Sequence, residues 1–179
     1  MNETLELVEI YTDGGAIGNP GPGGYGAVVL RGEGREELSG GFRRTTNNRM
    51  ELVAAIAGLT ALERPSAVTL HTDSKYVANG ITKGWAEGWR RNGWRKKNGE
   101  KALNPDLWKE LLGLCARHEV SFRWVKGHAG IKENERCDEL TGRWSRLKGL
   151  PADEAYEKAN PVGSRSGRGR SRGRVPRGV

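Results

Sequence analysis

The strongest constraint on the fold comes from residues 48–63 (NRMELVAAIAGLTALE), a helical segment whose apolar side chains lie on every face. A helix that is apolar all round has to be buried. We therefore expect this helix to pack on a sheet and to be covered from the outside as well. Such a helix belongs to a layered fold, with the segments around it supplying the sheet.

Residue patterns on both sides of this helix predict the other elements. The expected strands are residues 5–13, 25–31, 36–43, 67–72 and 121–125, and the expected further helices are residues 74–82, 104–118 (Asn104 as N-cap, then proline) and 133–146. Residues 14–24, rich in glycine and proline, predict a structured loop within an antiparallel meander. The strand–helix–strand order implies parallel pairing, so we expect an α/β fold with a mixed sheet and helices on both faces.

Two of the predicted strands end on the same dipeptide, Thr-Asp. The first strand ends at Asp13 and turns at glycine, and the fourth ends at Asp73 and turns at Ser74. If the strands are parallel neighbours, about 4.8 Å apart, the carboxylates lie side by side at the edge where open α/β sheets bind ligands. Such carboxylates repel each other unless a cation lies between them or one takes up a proton.

Two further acids can reach the same edge. Glu51 lies in the first turn of the buried helix, where a carboxylate needs a partner, and Asp138 lies on the last predicted helix. With Asp13 and Asp73 they would carry a charge of −4, which two divalent cations would balance. Oxygen ligands select magnesium or manganese, and two such cations support displacement at phosphorus. The alternative is that these are ordinary surface carboxylates, since the chain has 22 acids.

Positive charge is concentrated at the C-terminal end of the chain. Residues 163–179 hold six arginines and no acid, so the net charge of +8 falls to +2 without them. We expect a domain at residues 1–150 and an extension at residues 151–179 that is rich in Arg, Gly and Ser and disordered from about residue 163. A cationic arm of this kind favours nonspecific contacts with nucleic acid.

Several other classes of protein are excluded by the sequence. The longest apolar run, residues 52–59, is too short to span a bilayer, and the first ten residues lack the basic region of a secretory signal. A GxGxxG match at residues 21–26 opens a strand and not a helix, which excludes a dinucleotide site. We expect a cytoplasmic monomer whose two cysteines stay reduced.

Four separated blocks of the sequence resemble bacterial type 1 ribonuclease H. They are YTDGGAIGNPGPGGYGAV at residues 11–28, RTTNNRMEL at 44–52, TDSKYV at 72–77, and WVKGHAG followed by ENERCDEL within 124–140. The blocks occur in the order typical of the family and together cover about residues 7–138. The chain is therefore identified as a member of this family.

The resemblance implies a ribonuclease H-like five-stranded mixed sheet of order 3-2-1-4-5, with helices on both faces. It implies an endonuclease that hydrolyses the RNA strand of RNA–DNA hybrids and leaves 5′-phosphate and 3′-hydroxyl ends. It also implies two magnesium ions, replaceable by manganese, held by Asp13, Glu51, Asp73 and Asp138. His128, on a mobile loop in the family, would assist proton transfer or product release.

The resemblance also implies contacts to the hybrid, within the blocks and in a basic stretch outside them. The matching positions are Gly14, Asn19, Asn47 and Asn48 at the RNA sugar edge, Arg44 and Thr46 at a DNA phosphate, Lys75 beside the acids, and Trp85, Trp89, Arg90, Arg91 and Trp94 in the basic stretch of residues 85–101. Two positions depart from the family pattern. Lys75 stands where a glutamine is common, and Gly88 stands where an asparagine often completes the phosphate pocket.

Two other functions remain compatible with these residues. A non-catalytic module that binds hybrids or other nucleic acid would use the basic stretch and the tail, but it has no need of four carboxylates. Another polynucleotidyl transferase of related fold, such as an integrase or a junction resolvase, does not usually carry the block at residues 44–52. That block favours hybrid-specific cutting.

Overall fold

The computed structural model describes residues 4–163, so the predicted disorder of the arginine-rich tail falls almost entirely outside the described residues. The elements are β1 (Glu6–Ala16), β2 (Gly21–Arg31), β3 (Gly34–Thr45), α1 (Asn47–Thr60), β4 (Ser66–Thr72), α2 (Lys75–Thr82), α3 (Trp85–Arg91), α4 (Pro105–Arg117), β5 (Glu119–Trp124), α5 (Lys132–Ser145) and α6 (Glu154–Ala159). No helix in the described range is long and apolar enough to cross a lipid bilayer.

The five strands form one sheet of order β3-β2-β1-β4-β5. β1 is antiparallel to β2 and parallel to β4, and β5 is parallel to β4. The predicted mixed sheet is thereby confirmed, with β1 at its centre. The parallel register pairs Thr12 of β1 with Thr72 of β4, so these two strands reach the same edge of the sheet.

Helices cover both faces of the sheet, as predicted. α1 packs on β1 and β2 and also contacts α2 and α4, which explains why its apolar residues lie all round it. Leu52 and Leu59 of α1 are fully buried, and burial of each contributes about 1.5–3 kcal/mol before the entropy cost of ordering. α5 lies on the other face, because Ala27 of β2 borders α1 whereas the adjacent Gly26 borders Cys137 of α5.

The predicted loop at residues 14–24 is wrong in extent. β1 continues to Ala16 and β2 begins at Gly21, which leaves only residues 17–20 as the turn. Strands 1 and 2 are thus longer than the sequence pattern indicated, and most of the glycines belong to the sheet.

Glycine occupies these strand positions because the helices lie so close to the sheet that a side chain would not fit. A Cβ on Gly14 would lie 2.3 Å from the carbonyl carbon of Met50 in α1. A Cβ on Gly24 would lie 2.4 Å from the carbonyl oxygen of Thr141 in α5. Glycine inside a strand marks the close approach of another backbone, and here that backbone belongs to the covering helices.

Asn104 precedes α4 as predicted, but its side chain does not cap the helix. Its backbone is left-handed, with φ of 59°. The side chain instead donates to the Tyr76 hydroxyl at 3.2 Å and accepts from Arg49 at 3.3 Å. Asn104 is thus the N-cap residue with proline at the start of the helix, as predicted, but tertiary partners take the amide that would otherwise bond to the first turn.

The helix α6 was not predicted, since residues after 150 show no regular apolar spacing. It is anchored by the buried guanidinium of Arg49, which donates to Asp153 at 2.7 and 2.9 Å and to Asp106 at 2.9 and 2.8 Å. Asp153 also caps α6 by accepting from the Tyr156 N–H. Loss of one member of such a buried ion pair costs about 3–5 kcal/mol, so Arg49 firmly joins α1, α4 and α6.

Candidate active site

Asp13 and Asp73 lie side by side where the pairing of β1 and β4 ends. The last pair in the parallel register is Thr12 with Thr72, and each threonine is followed by its aspartate. β1 does not end at Asp13 as expected, because it continues to Ala16 in pairing with β2. The two carboxylates nevertheless meet at this point, as the shared Thr-Asp ending predicts.

Buried threonines fix the backbone on which these aspartates stand. Thr12 and Thr72 are both inaccessible to solvent. Thr12 Oγ1 donates to the carbonyl of His71 at 3.3 Å, and Thr72 Oγ1 accepts from the Ser74 N–H at 3.0 Å. Ser74 then caps α2 by accepting from the Val77 N–H at 3.2 Å. The Thr12 hydroxyl thus joins the end of β1 to β4, and the Thr72 hydroxyl fixes the turn that leads into α2.

Glu51 reaches the two aspartates from α1. One carboxylate oxygen from each of Asp13, Glu51 and Asp73 lies within 4.8 Å of the others. This approach depends on Gly14, because a Cβ there would lie 2.5 Å from the backbone nitrogen of Glu51. The glycine that follows Asp13 therefore allows α1 to deliver the third carboxylate.

Burial raises the pKa of all three carboxyl groups. It raises the pKa of Asp13 to about 7, with the negative charges of Asp73 and Asp138 adding to the effect. It raises the pKa of Glu51 well above its ordinary value, with the charges of Asp13 and Asp73 as further causes. The pKa of Asp73 is raised in the same direction, again mainly by burial. A cluster of this kind holds its full negative charge only with a positive partner.

The donor set fits a divalent cation. Glu51 Oε2 is enclosed and has no hydrogen-bond partner among residues 4–163. A buried carboxylate oxygen without a partner is costly, and a cation would remove that cost. Every donor in the cluster is a carboxylate oxygen, the type of ligand that hard cations such as magnesium and manganese prefer.

Asp138 and His128 lie at the outer edge of the cluster. Asp138 is close enough for its charge to raise the pKa of both Asp13 and Asp73, but it is not among the three groups that converge. His128 Nδ1 lies 4.0 Å from Asp138 Oδ2, and the His128 side chain is 80% exposed. This exposure leaves His128 able to contact a bound substrate.

Gly127 and Trp124, to which sequence reasoning assigned no role, both contact Asp73. A Cβ on Gly127 would lie 2.8 Å from Asp73 Oδ2. Trp124 Nε1 donates to the carbonyl of Asp73 at 2.9 Å. Both residues belong to the WVKGHAG block, which was the only signal in the sequence. The pairing of β4 with β5 is what brings that block to Asp73.

Lys75 begins α2 and stands beside the same aspartate. Its Nζ lies 5.0 Å from the centre of the Trp124 ring, in a cation–π contact. The indole of Trp124 therefore contacts both the backbone of Asp73 and the ammonium of Lys75. Trp124 thus links Lys75 to the backbone of the aspartate on which the acidic cluster is built.

A groove of about 770 Å³ runs between the start of α1, the start of α4 and α6. Several predicted hybrid contacts line it, namely Asn19, Thr46, Asn47 and Asn48. Asn19 Oδ1 accepts from the Asn47 N–H at 3.0 Å, and Asn47 Oδ1 accepts from the Ala16 N–H at 2.7 Å. These two amides therefore brace the groove, and all three asparagines are exposed to solvent.

Arg44 and Thr46, the predicted phosphate contacts, flank the junction between β3 and α1. Thr46 Oγ1 accepts from the Arg49 N–H at 3.2 Å and so caps α1. The Arg44 Nη1 donates to the carbonyl of Asn160 at 2.7 Å, and the Arg44 guanidinium lies 5.3 Å from the centre of the Tyr156 ring. Both side chains are therefore held by contacts within the protein itself.

Residues 85–101 form a basic protrusion that begins with a helix, α3, although an irregular stretch was expected. Beyond α3, the bridge between Arg95 and Lys101 closes a turn. Trp85 is 41% exposed, and Lys83 Nζ lies 5.4 Å from the centre of its ring. Lys101 also lines the groove, so the protrusion and the groove are continuous.

Several other aromatic and basic side chains of the protrusion contact residues of the protein itself. Trp89 and Trp94 pack against the core, and Trp89 meets Trp108 edge to face at 6.0 Å. Arg90 and Arg91 pair with Glu87 at 2.5 and 3.3 Å. Gly88 has open space at its Cβ position, and the amide of Asn92, nearby in the sequence, donates to the carbonyl of Arg95.

Comparison with known proteins gives one consistent result. The family model for RNase H matches residues 6–146. A ribonuclease H of Rippkaea orientalis is 59% identical over 157 residues, which cover 88% of this chain and 96% of that protein. LC9-RNase H1, a type 1 RNase H with the type 2 active-site motif, is 32% identical with a TM-score of 0.69, over 90% of this chain and 84% of that one. LC11-RNase H1, solved in complex with RNA/DNA hybrid, is 26% identical with a TM-score of 0.56, over 83% of this chain and 99% of that one.

Proposed function

The chain belongs to the RNase H family, and we infer from this membership that it is an endonuclease that hydrolyses the RNA strand of RNA–DNA hybrids. The observation that supports the chemistry is the converging cluster of Asp13, Glu51 and Asp73 with its unpartnered Glu51 oxygen. We propose that these residues, together with Asp138, hold two magnesium ions, for which manganese can substitute. Cleavage then leaves 5′-phosphate and 3′-hydroxyl ends.

The protein contributes charge, position and proton control to this reaction. Two cations held by these carboxylates would supply the activation of a water and the stabilisation of the leaving 3′ oxygen. Asp13 and Glu51 shed their protons when they become ligands, so cation binding strengthens as the pH rises through about 7, the pKa of Asp13. His128, which is exposed beside Asp138, is proposed to assist proton transfer or product release.

The groove and the protrusion support contacts to the two strands of a hybrid. Recognition of RNA requires contact with its 2′-hydroxyl, and the DNA strand offers phosphates to basic side chains. The proposed contacts are Gly14, Asn19, Asn47 and Asn48 to the RNA sugar edge, Lys75 to the RNA strand, Arg44 and Thr46 to a DNA phosphate, and Trp85, Arg90 and Arg91 to the DNA strand, with Trp89 and Trp94 shaping the protrusion.

Cleavage of an RNA strand labelled at one end and paired with DNA tests the proposed function. We expect internal cuts with 5′-phosphate ends in magnesium and none in excess chelator. The same RNA paired with RNA, and the labelled DNA strand of the hybrid, serve as controls that stay intact. Tight hybrid binding without cuts in magnesium or manganese would identify a non-catalytic binding module, and cuts that persist in chelator would contradict the metal site.

The arginine-rich tail is proposed to add nonspecific contacts with nucleic acid. Deleting residues 162–179 removes six arginines and should flatten the dependence of log K on log salt, by up to about 0.9 for each phosphate that they neutralise. Hybrid affinity measured between low and moderate salt gives this slope, and cleavage at low salt should persist. An unchanged slope would show that the tail makes no contact.

We further propose that residues 1–150 form the catalytic domain and residues 151–179 an extension, and that the chain acts as a monomer in the cytoplasm. Cys115 and Cys137 are both free thiols, which suits a reducing compartment. Light scattering that gives the mass of one chain would support the monomer, and the mass of two chains would overturn it.

A further inference from the structure

We propose that α6 contributes to nucleic-acid binding as one wall of the groove, and that Tyr156 is a positioning residue for Arg44. In this role Tyr156 holds the Arg44 guanidinium ready for a phosphate of the DNA strand. The inference rests on the proposed function and deepens it. α6 begins at Glu154, beyond residues 6–146 that match the family model.

Two contacts fix the Arg44 guanidinium against α6. Its carbon lies 5.3 Å from the centre of the half-buried Tyr156 ring, a distance at which a cation is attracted to the ring face. Its Nη1 donates to the carbonyl of Asn160, just past the end of α6, at 2.7 Å. That hydrogen bond uses one of the five N–H groups of a guanidinium, which leaves others for a phosphate.

α6 is itself held firmly enough to act as a support. Asp153, which caps it, is buried and accepts from the Arg49 guanidinium and from Thr45 Oγ1 at 2.7 Å. Arg43 forms a two-point ion pair with Glu157 at 2.9 and 2.7 Å. Because Arg43 and Thr45 flank Arg44 on β3, the same helix contacts three consecutive side chains. Arg44 is thus attached to a rigid part of the molecule.

α6 also forms one wall of the groove that carries the proposed hybrid contacts. Tyr156 and Asn160, the two partners of Arg44, line this wall, while Thr46 and Asn48 line the wall made by α1. Lys101 lines the same groove from the basic protrusion. A strand that follows the groove therefore passes Tyr156 and Asn160, the two partners that hold the Arg44 guanidinium.

Holding Arg44 in place should strengthen binding through preorganisation. A long arginine side chain loses rotational freedom when it binds a phosphate, and a side chain that is already fixed loses less. Gly88, at the position where the resemblance implies an asparagine, has no side chain to offer the same phosphate. Restraint of Arg44 by Tyr156 therefore offsets part of the phosphate affinity that an asparagine at position 88 would add.

Hybrid binding measured in chelator tests this role without relying on the loaded active site. We expect Tyr156→Leu to weaken the Kd for the hybrid about three- to tenfold, in line with a cation–π contact. It should also reduce the slope of log K against log salt by up to about 0.9, the value for one phosphate. In magnesium, KM should rise while kcat stays within about twofold.

Tyr156→Phe is the matched control, because it keeps the ring over Arg44 and should bind the hybrid like the native protein. Arg44→Ala should reproduce the Tyr156→Leu effects, and the double variant should be no weaker than Arg44→Ala alone. A melting temperature measured for each variant separates loss of contact from loss of fold.

Native affinity and native salt slope in a folded Tyr156→Leu protein would overturn the positioning role. Weakening of the double variant by the full sum of the single effects would also overturn it, because Tyr156 would then act independently of Arg44. If the native chain itself does not prefer hybrid over DNA duplex, the proposed function fails, which is a different outcome from either of these.

Discussion

An Asp13→Asn protein should cleave a hybrid at least about a thousandfold more slowly than the native chain, yet its metal-free form should be more stable. The loss follows because Asp13 is one of the three carboxylates that converge, and cations at such a site stabilise the transition state by several kcal/mol, with 1.36 kcal/mol for each tenfold in rate. The cleavage assay in magnesium measures this loss directly.

The gain in stability follows from the pKa of Asp13. Folding raises it from 3.8 to about 7, so between these pH values the folded state binds more protons than the unfolded state. The contribution of Asp13 to the free energy of unfolding is therefore fully present below about pH 4, and it is lost as the pH rises to about 7. The amide of Asp13→Asn carries no charge that must be buried. We therefore expect the free energy of unfolding of this variant to exceed that of the native chain by about 2 kcal/mol at neutral pH in chelator.

Thermal unfolding in chelator at pH 5 and at pH 7.5 measures this effect, and the gain should be larger at pH 7.5. Glu36→Gln is a suitable control, since Glu36 is an exposed carboxylate on β3 and its loss should change neither cleavage nor stability. An Asp13→Asn protein that cuts at the native rate would contradict the proposed site. A melting temperature of Asp13→Asn below that of the native chain would contradict the claim that the buried charge of Asp13 destabilises the metal-free protein.

Gly24→Ala should destabilise the fold by about 3 kcal/mol, because overfilling a packed contact costs about 1–3 kcal/mol or more. The added Cβ would lie 2.4 Å from the Thr141 carbonyl oxygen and 2.8 Å from the Trp144 Cβ. One of these atoms belongs to the backbone of α5, which cannot move aside without leaving β2. For a domain of this size the melting temperature should fall by roughly 6–12 °C.

Gly113→Ala is the matched control. Gly113 is exposed on α4 and has nothing within 4 Å of its Cβ position. Alanine there should stabilise the protein by about 0.5–1 kcal/mol, because glycine is a poor helix residue. A Gly24→Ala protein that melts with the native chain would show that α5 does not press on β2 as described.

The parts of the fold that follow from local patterns were predictable from the sequence. The all-round apolar helix and the two Thr-Asp endings led to the layered sheet and to the meeting of Asp13 with Asp73. Glu51 was recognisable because a carboxylate on an apolar helix needs a partner. The order of the strands came from the resemblance, since spacing alone does not determine it.

Other features depend on contacts between distant residues, and local patterns do not report those. The glycines of β1 and β2 resemble a loop because their cause is the helix packed on them, as for Gly14 against Met50. α6 has no apolar spacing, and its main anchor is an ion pair between residues 104 positions apart, Arg49 and Asp153. Trp124 could be assigned to Asp73 only once β5 was known to lie beside β4.

Arg49 couples the delivery of Glu51 to contacts with residues much further along the chain. Its partners Asp106 and Asp153 lie 57 and 104 residues further along the chain, so neither exists when α1 leaves the ribosome. A buried guanidinium without its anions costs several kcal/mol, which opposes packing of α1 and delivery of Glu51. In a chain that stops before Asp153, packing of α1 and delivery of the third carboxylate should therefore both be weakened.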